Sequence, residues 1–104
     1  MKSIFDKVSR ECSKLVTTSY STSFSMATKM LSDNIRQDIY NIYGFVRFAD
    51  EIVDTFHNYD KAVLFEKFSN DLEDALEMKI SLNPILNSFQ ETYHKYNIEK
   101  HMVD

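Results

Sequence analysis

Between Ile35 and Phe56 apolar positions recur at helical spacing, yet one narrow face of that segment is polar. At about 100° per residue with Tyr43 at zero, Arg47 falls at about 40°, Asp50 at about −20°, and Arg36 and Asp54 both at about 20°. Ile39, Val46 and Val53 flank this stripe, and Phe45, Phe48 and Ile52 occupy the far side. A surface helix shows one apolar stripe and one broad charged face. Here the pattern predicts a buried helix whose charges turn into an interior space. Charge in such a place is paired, binds metal or does chemistry.

The same periodicity predicts the other elements. Ile4, Phe5, Val8, Cys12, Leu15 and Val16 predict a first helix over 3–17, with Cys12 in the core. The Ser/Thr-rich tract from Thr17 to Ser25 favours caps and turns, so a short helix over 23–30 follows. Ser32 is the expected N-cap of a long helix over 33–56. Gly44 inside it costs about 1 kcal/mol relative to alanine, which implies close approach of a neighbouring helix or a ligand. His57 to Tyr59 form a loop, and Asp60 caps a helix over 61–78 with Leu64, Phe65, Phe68, Leu72, Ala75 and Leu76 on its apolar face. Pro84 suits the first turn of a helix with an Ile85, Phe89, Tyr93 and Tyr96 face. Ile98 to Asp104 read as the start of a further element. The expected architecture is an all-α helical bundle of about five helices with short connections, one domain or fragment over 1–104.

Composition narrows the picture. One Gly and one Pro in 104 residues disfavour a hairpin-rich β protein. A formal net charge of −4 argues against nucleic-acid binding. Cys12 is the only cysteine, so an internal disulfide is excluded and a reducing compartment fits. The first ten residues read as an amphipathic helix rather than a signal peptide. No run approaches the roughly 20 apolar residues that cross a bilayer. A cytoplasmic location is expected.

Asp50 and Asp54, at i and i+4, lie about 5–6 Å apart at Cβ. Such a pair suits Mg²⁺, which takes one or two carboxylates, keeps waters and accepts phosphate oxygens. Arg47 and Arg36 on the same face suit bidentate phosphate binding, and Tyr43 offers a hydroxyl and a ring for a cation. Glu51, at about 80°, is a poorer ligand. The alternative is a structural salt-bridge ladder, since acid pairs at this spacing are ordinary on helix surfaces. The acidic run Asp71, Glu73, Asp74 and Glu77 reads as a solvated face, and His57, His94 and His101 lack metal-site spacing.

Ser21-Thr22-Ser23-Phe24-Ser25, followed by Tyr43-Gly44-Phe45-Val46-Arg47-Phe48-Ala49-Asp50-Glu51-Ile52-Val53-Asp54, resembles the squalene/phytoene synthases, the head-to-head trans-isoprenyl diphosphate synthases. The family pattern is S-x-S-F, a spacer of similar length, then Y-x-x-x-R-x-x-D-D/E-x-x-D. The Asp-Glu-Ile-Val-Asp run looks closest to the bacterial phytoene and dehydrosqualene branch. The resemblance implies the isoprenoid synthase fold, of which this is the N-terminal portion. It also implies Mg²⁺-dependent condensation of two prenyl diphosphates in isoprenoid and carotenoid biosynthesis. By the same resemblance Asp50 and Asp54 are Mg²⁺ ligands, Arg47 binds diphosphate and Tyr43 lies near the reacting carbons. Ser21, Ser23, Phe24 and Arg36 then belong to substrate binding. Peripheral membrane contact is left open by the oily products of the family.

The family's second aspartate-rich motif has no counterpart in these 104 residues. The chain is therefore expected to carry one half-site, to lack turnover alone and to self-associate through uncovered apolar faces, with Phe24, Phe45, Phe48 and Ile52 needing cover. A non-catalytic helical assembly module of the same fold is the competing reading.

Overall fold

The computed structural model describes residues 1–97, and for Asn34 its backbone alone. The expected element from Ile98 onward lies outside the described residues. Five helices follow one another: α1 (Lys2–Tyr20), α2 (Thr22–Thr28), α3 (Asp33–Asp54), α4 (Lys61–Met78) and α5 (Pro84–Lys95). The all-α architecture is as the sequence pattern predicts, and three helix ends move, with α2 stopping at Thr28 rather than residue 30. α1 runs on to Tyr20 because its hydroxyls bond within the helix: Thr17 Oγ1 donates to the Ser13 carbonyl at 2.9 Å and Thr18 Oγ1 to that of Leu15 at 3.1 Å. The break comes at Ser21, extended at φ −147 and ψ 99, whose Oγ accepts from the Phe24 amide and caps α2. α3 stops at Asp54, two residues before the predicted end.

The caps match unevenly. Asp60 accepts from the Val63 amide, and Asn83 accepts from the amides of Ile85 and Leu86 ahead of Pro84. Ser32 stands at the N-cap of α3, but its side chain makes no capping hydrogen bond. Arg36 secures that corner instead, with Nη2 donating to the carbonyls of Lys29 at 3.0 Å and Leu31 at 2.9 Å.

α5 is the buried centre, with Ile85 to Gln90 and Thr92 all out of solvent. α1, α3 and α4 pack around it. On one side lies the apolar core of Leu72, Ala75, Leu76, Leu86 and Phe89, extended by Phe45, Phe68 and Tyr93. Phe45 stacks on Phe89 with ring centroids 4.1 Å apart and on Phe68 at 5.7 Å. Phe45 and Ile52 thus have the cover the sequence demanded.

The other side of α5 is a polar seam. α1 buries Ser9, Ser13 and Thr17, each four residues apart, rather than its large apolar residues. Ile4, Val8 and Leu15 are exposed, and Cys12 is half-buried rather than in the core. The reason is proximity. A Cβ at Gly44 of α3 would sit 3.1 Å from Ser13 Oγ and 3.3 Å from Ser13 Cβ, so only short side chains fit between the helices. Ser88 donates to the Ile85 carbonyl and shares a 2.5 Å bond with Ser13. Asn87 Nδ2 donates to Ser9 Oγ and to Asp6, and Arg10 pairs with Glu91 at 2.9 Å.

The seam continues into α3. Gln37 donates to the Arg10 carbonyl and to Asn41, Asn41 donates to Thr92, and Thr92 donates to Asp38. The Asp38 carboxylate also accepts from Lys95 at 2.8 Å and Tyr96 at 2.5 Å. Burial alone would push Asp38 up, but these donors outweigh it and hold the carboxyl below its ordinary value of 3.8.

No helix among the described residues is long and apolar enough to cross a membrane.

Two outcomes follow from the seam. Gly44→Val should destabilise the fold by about 1–3 kcal/mol through overpacking against Ser13, read from the midpoint of urea unfolding. A group whose folded pKa is depressed contributes stability above its unfolded value and loses it as pH falls through the folded one. Asp38→Asn should therefore be less stable than wild type at pH 7, with the gap closing as pH drops below 3.8. Unfolding titrations between neutral and acid pH check both signs.

Candidate functional site

The N-terminal half of α3 is held by α1 and α5, and the C-terminal half by α4, all on the side of Phe45 and Ile52. The polar stripe therefore looks the other way. Asp50 and Asp54 are exposed, Tyr43 is half-buried, and Arg47 and Arg36 keep 26% and 30% side-chain exposure. The expectation of a stripe turned into an interior is corrected for its acidic end: α2 and the last turn of α1 lie against Tyr43 and Arg47, while Asp50 and Asp54 are open to solvent. Its flank is open as well, with Ile35, Ile42, Val46 and Val53 exposed along one line of the helix.

The two sequence segments nevertheless meet. The Phe24 ring stacks on Tyr43 with centroids 4.9 Å apart and planes at 24°. That contact lays α2 beside the middle of α3. Ser21 sits at the start of α2 as its cap, and because its oxygen accepts from Phe24 the hydroxyl proton stays free to donate. Ser23 is exposed one residue before Phe24. Tyr43, Arg47, Asp50 and Asp54 then follow along α3 in one direction from the stacked pair.

The arginines are engaged differently. Arg36 is tied to the turn ahead of α3 by the two carbonyls already described and pairs with Asp33 at 3.2 Å. It is a corner brace first, and less available to a ligand than the helical wheel implied. Arg47 pairs with Glu51, Nη2 to Oε1 at 3.7 Å, and its Cζ stands 5.1 Å from the centroid of the Tyr20 ring. Glu51 also accepts from the Thr55 hydroxyl. The Thr55 hydroxyl first, and then the nearby Tyr20 phenol, hold Glu51 below its ordinary value, while Glu51 pushes the Tyr20 phenol up.

Asp50 and Asp54 carry no ion pair or side-chain hydrogen bond among the described residues. Two open carboxylates one turn apart are a fitting partial donor set for Mg²⁺, which completes its shell with water and phosphate oxygens. A cluster of three or more His, Cys, Asp or Glu able to cage an ion by themselves does not occur among the described residues. Asp50 also borders a groove of about 390 Å³ between α3 and α4, walled by Phe45, Phe65, Phe68 and Leu72. The acidic run on α4 is exposed, as its solvated reading required.

Three features escaped the sequence reading. Tyr20 and Glu51 around Arg47 are the first two. Glu51 was discounted by its wheel angle, although its position one turn after Arg47 is an ion-pair spacing. No single-helix wheel relates Tyr20 of α1 to α3. The third is Tyr40, only 2% exposed, whose hydroxyl has no partner among the described residues.

These features define a helical protein with carboxylates, an arginine and hydroxyls gathered on one open helix face. The sequence profile of the squalene/phytoene synthases matches residues 17–104, and the chain belongs to that family. Its fold is the all-α isoprenoid synthase fold. The family works in isoprenoid biosynthesis on prenyl diphosphates and uses Mg²⁺ held by aspartate-rich motifs. No curated protein and no solved structure gives a match to the chain.

Tyr40→Phe should leave stability unchanged or raise it by about 1 kcal/mol, because a buried hydroxyl without a partner carries an uncompensated desolvation cost. Thermal and urea unfolding of the variant test this, and a loss of stability would reveal a partner for the hydroxyl.

Proposed function

We propose that α2 and α3 form one wall of a site that binds a prenyl diphosphate with Mg²⁺ and condenses two such molecules head to head. The observation that carries this reading is the Phe24–Tyr43 stack, which joins the S-x-S-F segment to the Y-x-x-x-R-x-x-D-E-x-x-D segment on one face. Asp50 and Asp54 would hold the metal through their open carboxylates. Bound there, Mg²⁺ would neutralise a leaving diphosphate and ease its departure. Arg47 binds the diphosphate oxygens through its planar fork of donors. Ser21 and Ser23 donate to the same group, and Arg36 adds positive charge from the turn ahead of α3. Phe24 and the Tyr43 ring face the prenyl chain and shield a developing allylic cation. The described carboxylates amount to one half-site, so catalysis needs a second carboxylate set on a facing helix.

The 104 residues alone should show Mg²⁺-dependent binding of a non-hydrolysable prenyl diphosphate analogue but no turnover. Asp50→Asn and Asp54→Asn should each weaken that binding by about tenfold, the scale of one lost charge-assisted contact. In an enzyme carrying both carboxylate sets, either substitution should remove most activity. Calorimetry with the analogue and product analysis across prenyl chain lengths measure these. Product from the 104 residues, or near-wild-type rates in the Asn variants, would overturn the reading.

The open line of Ile35, Ile42, Val46 and Val53 favours a second reading, a helical module whose α3 face serves assembly. It predicts tight association in sedimentation experiments and no response to Mg²⁺ or diphosphate.

A further inference from the structure

We propose that Tyr20 and Glu51 are positioning residues that clamp the Arg47 guanidinium from two helices, fixing where it meets a diphosphate. The inference rests on the reading of Arg47 given above and adds the device that aims it.

Glu51 occupies the middle of the aspartate-rich segment but turns away from its neighbours. Asp50 and Asp54 are exposed, whereas the Glu51 side chain keeps only 13% exposure. Its carboxylate accepts from the Thr55 hydroxyl and pairs with the Arg47 guanidinium, with the Tyr20 phenol nearby. Glu51 therefore acts as a tether, not a third metal ligand. Tyr20 comes from the last turn of α1 and bounds Arg47 on another side, with its ring 5.1 Å from the guanidinium carbon. Ring and carboxylate thus meet Arg47 from different helices.

The arrangement holds the arginine without consuming it. The ion pair to Glu51 is 3.7 Å long, beyond hydrogen-bond length, and Arg47 makes no side-chain hydrogen bond among the described residues. Its Nε is buried without a partner. The two terminal nitrogens keep their donors for a ligand while the long stem is already ordered. An unheld arginine loses about 2 kcal/mol of rotamer entropy on binding, and a clamp removes part of that loss beforehand. Tyr20 also immediately precedes Ser21, so the clamp ties the α1–α2 corner to α3 beside the diphosphate residues.

The test is NMR of the ¹⁵N-labelled protein, with the Arg47 Nε–Hε signal assigned through Arg47→Lys. Solvent exchange of that proton should be about tenfold faster in Tyr20→Leu and in Glu51→Gln than in wild type, as expected when a buried group becomes mobile. Tyr20→Phe keeps the ring and should fall between. Amide dispersion shows which variants are folded, and Glu51→Gln and Tyr20→Phe preserve shape if Tyr20→Leu does not fold. Exchange unchanged from wild type in the folded variants overturns the clamp.

A parallel titration with Mg²⁺ and inorganic pyrophosphate separates the clamp from the reading beneath it. Binding should weaken about threefold to tenfold in Tyr20→Leu and Glu51→Gln, and further in Arg47→Gln, which loses the charge itself. Wild-type affinity in Arg47→Gln would overturn the diphosphate reading, while the exchange data decide the clamp independently.

Discussion

The close approach of α1 to α3 at Ser13 and Gly44 is the contact on which the rest of the architecture hangs. A Cβ at Gly44 would already crowd Ser13, and α1 is bound there by hydroxyls, amides and two charged links rather than by an apolar interface. A hydrogen bond adds about 0.5–1.5 kcal/mol net, but a buried polar group left unpaired costs more. The seam therefore acts chiefly as a specification. Any other orientation of α1 would break the bonds of Asn87 to Ser9 and Asp6 and the pairing of Arg10 with Glu91. The core of Leu72, Leu76, Leu86 and Phe89 supplies burial, and the seam supplies uniqueness.

The proposed site depends on that specification through Tyr20 and Ser21. α1 ends with Tyr20 against Arg47, and the turn at Ser21 swings Phe24 onto Tyr43. The residues proposed to bind diphosphate thus come from α2 and α3, and the contact that seats α1 lies at Gly44, beside Tyr43. The carboxylates lie farther along α3, where solvent reaches them. A rigid base and an open rim suit a site in which ion and substrate arrive together.

Much of this was legible in the amino-acid pattern. The helix count, Asp60 and Pro84 as starts, and the common face of Tyr43, Arg47, Asp50 and Asp54 all follow from spacing, because they are properties of single helices. The family followed from two ordered motifs. Burial did not follow, for a physical reason. On α1 the apolar residues marked the exposed side, since closeness between helices selects for small side chains and not for greasy ones. On α3 the apolar flanks suggested an interior that the described helices do not enclose. The roles of Tyr20 and Arg36 depend on contacts to other segments, which no wheel contains.

The four-residue spacing of Ser9, Ser13 and Thr17 has a mechanical side. A slide of α1 by four residues, about 6 Å along its axis, would again set hydroxyl against hydroxyl, so these residues alone define a repeating track with several near-equivalent stops. Arg10 with Glu91 and Asp6 with Asn87 occur once each and have no equivalents a turn away. They are the index marks of the track. These contacts of the first half of α1 thereby decide, at its far end, whether the Tyr20 ring stands at Arg47 or a full turn out of place.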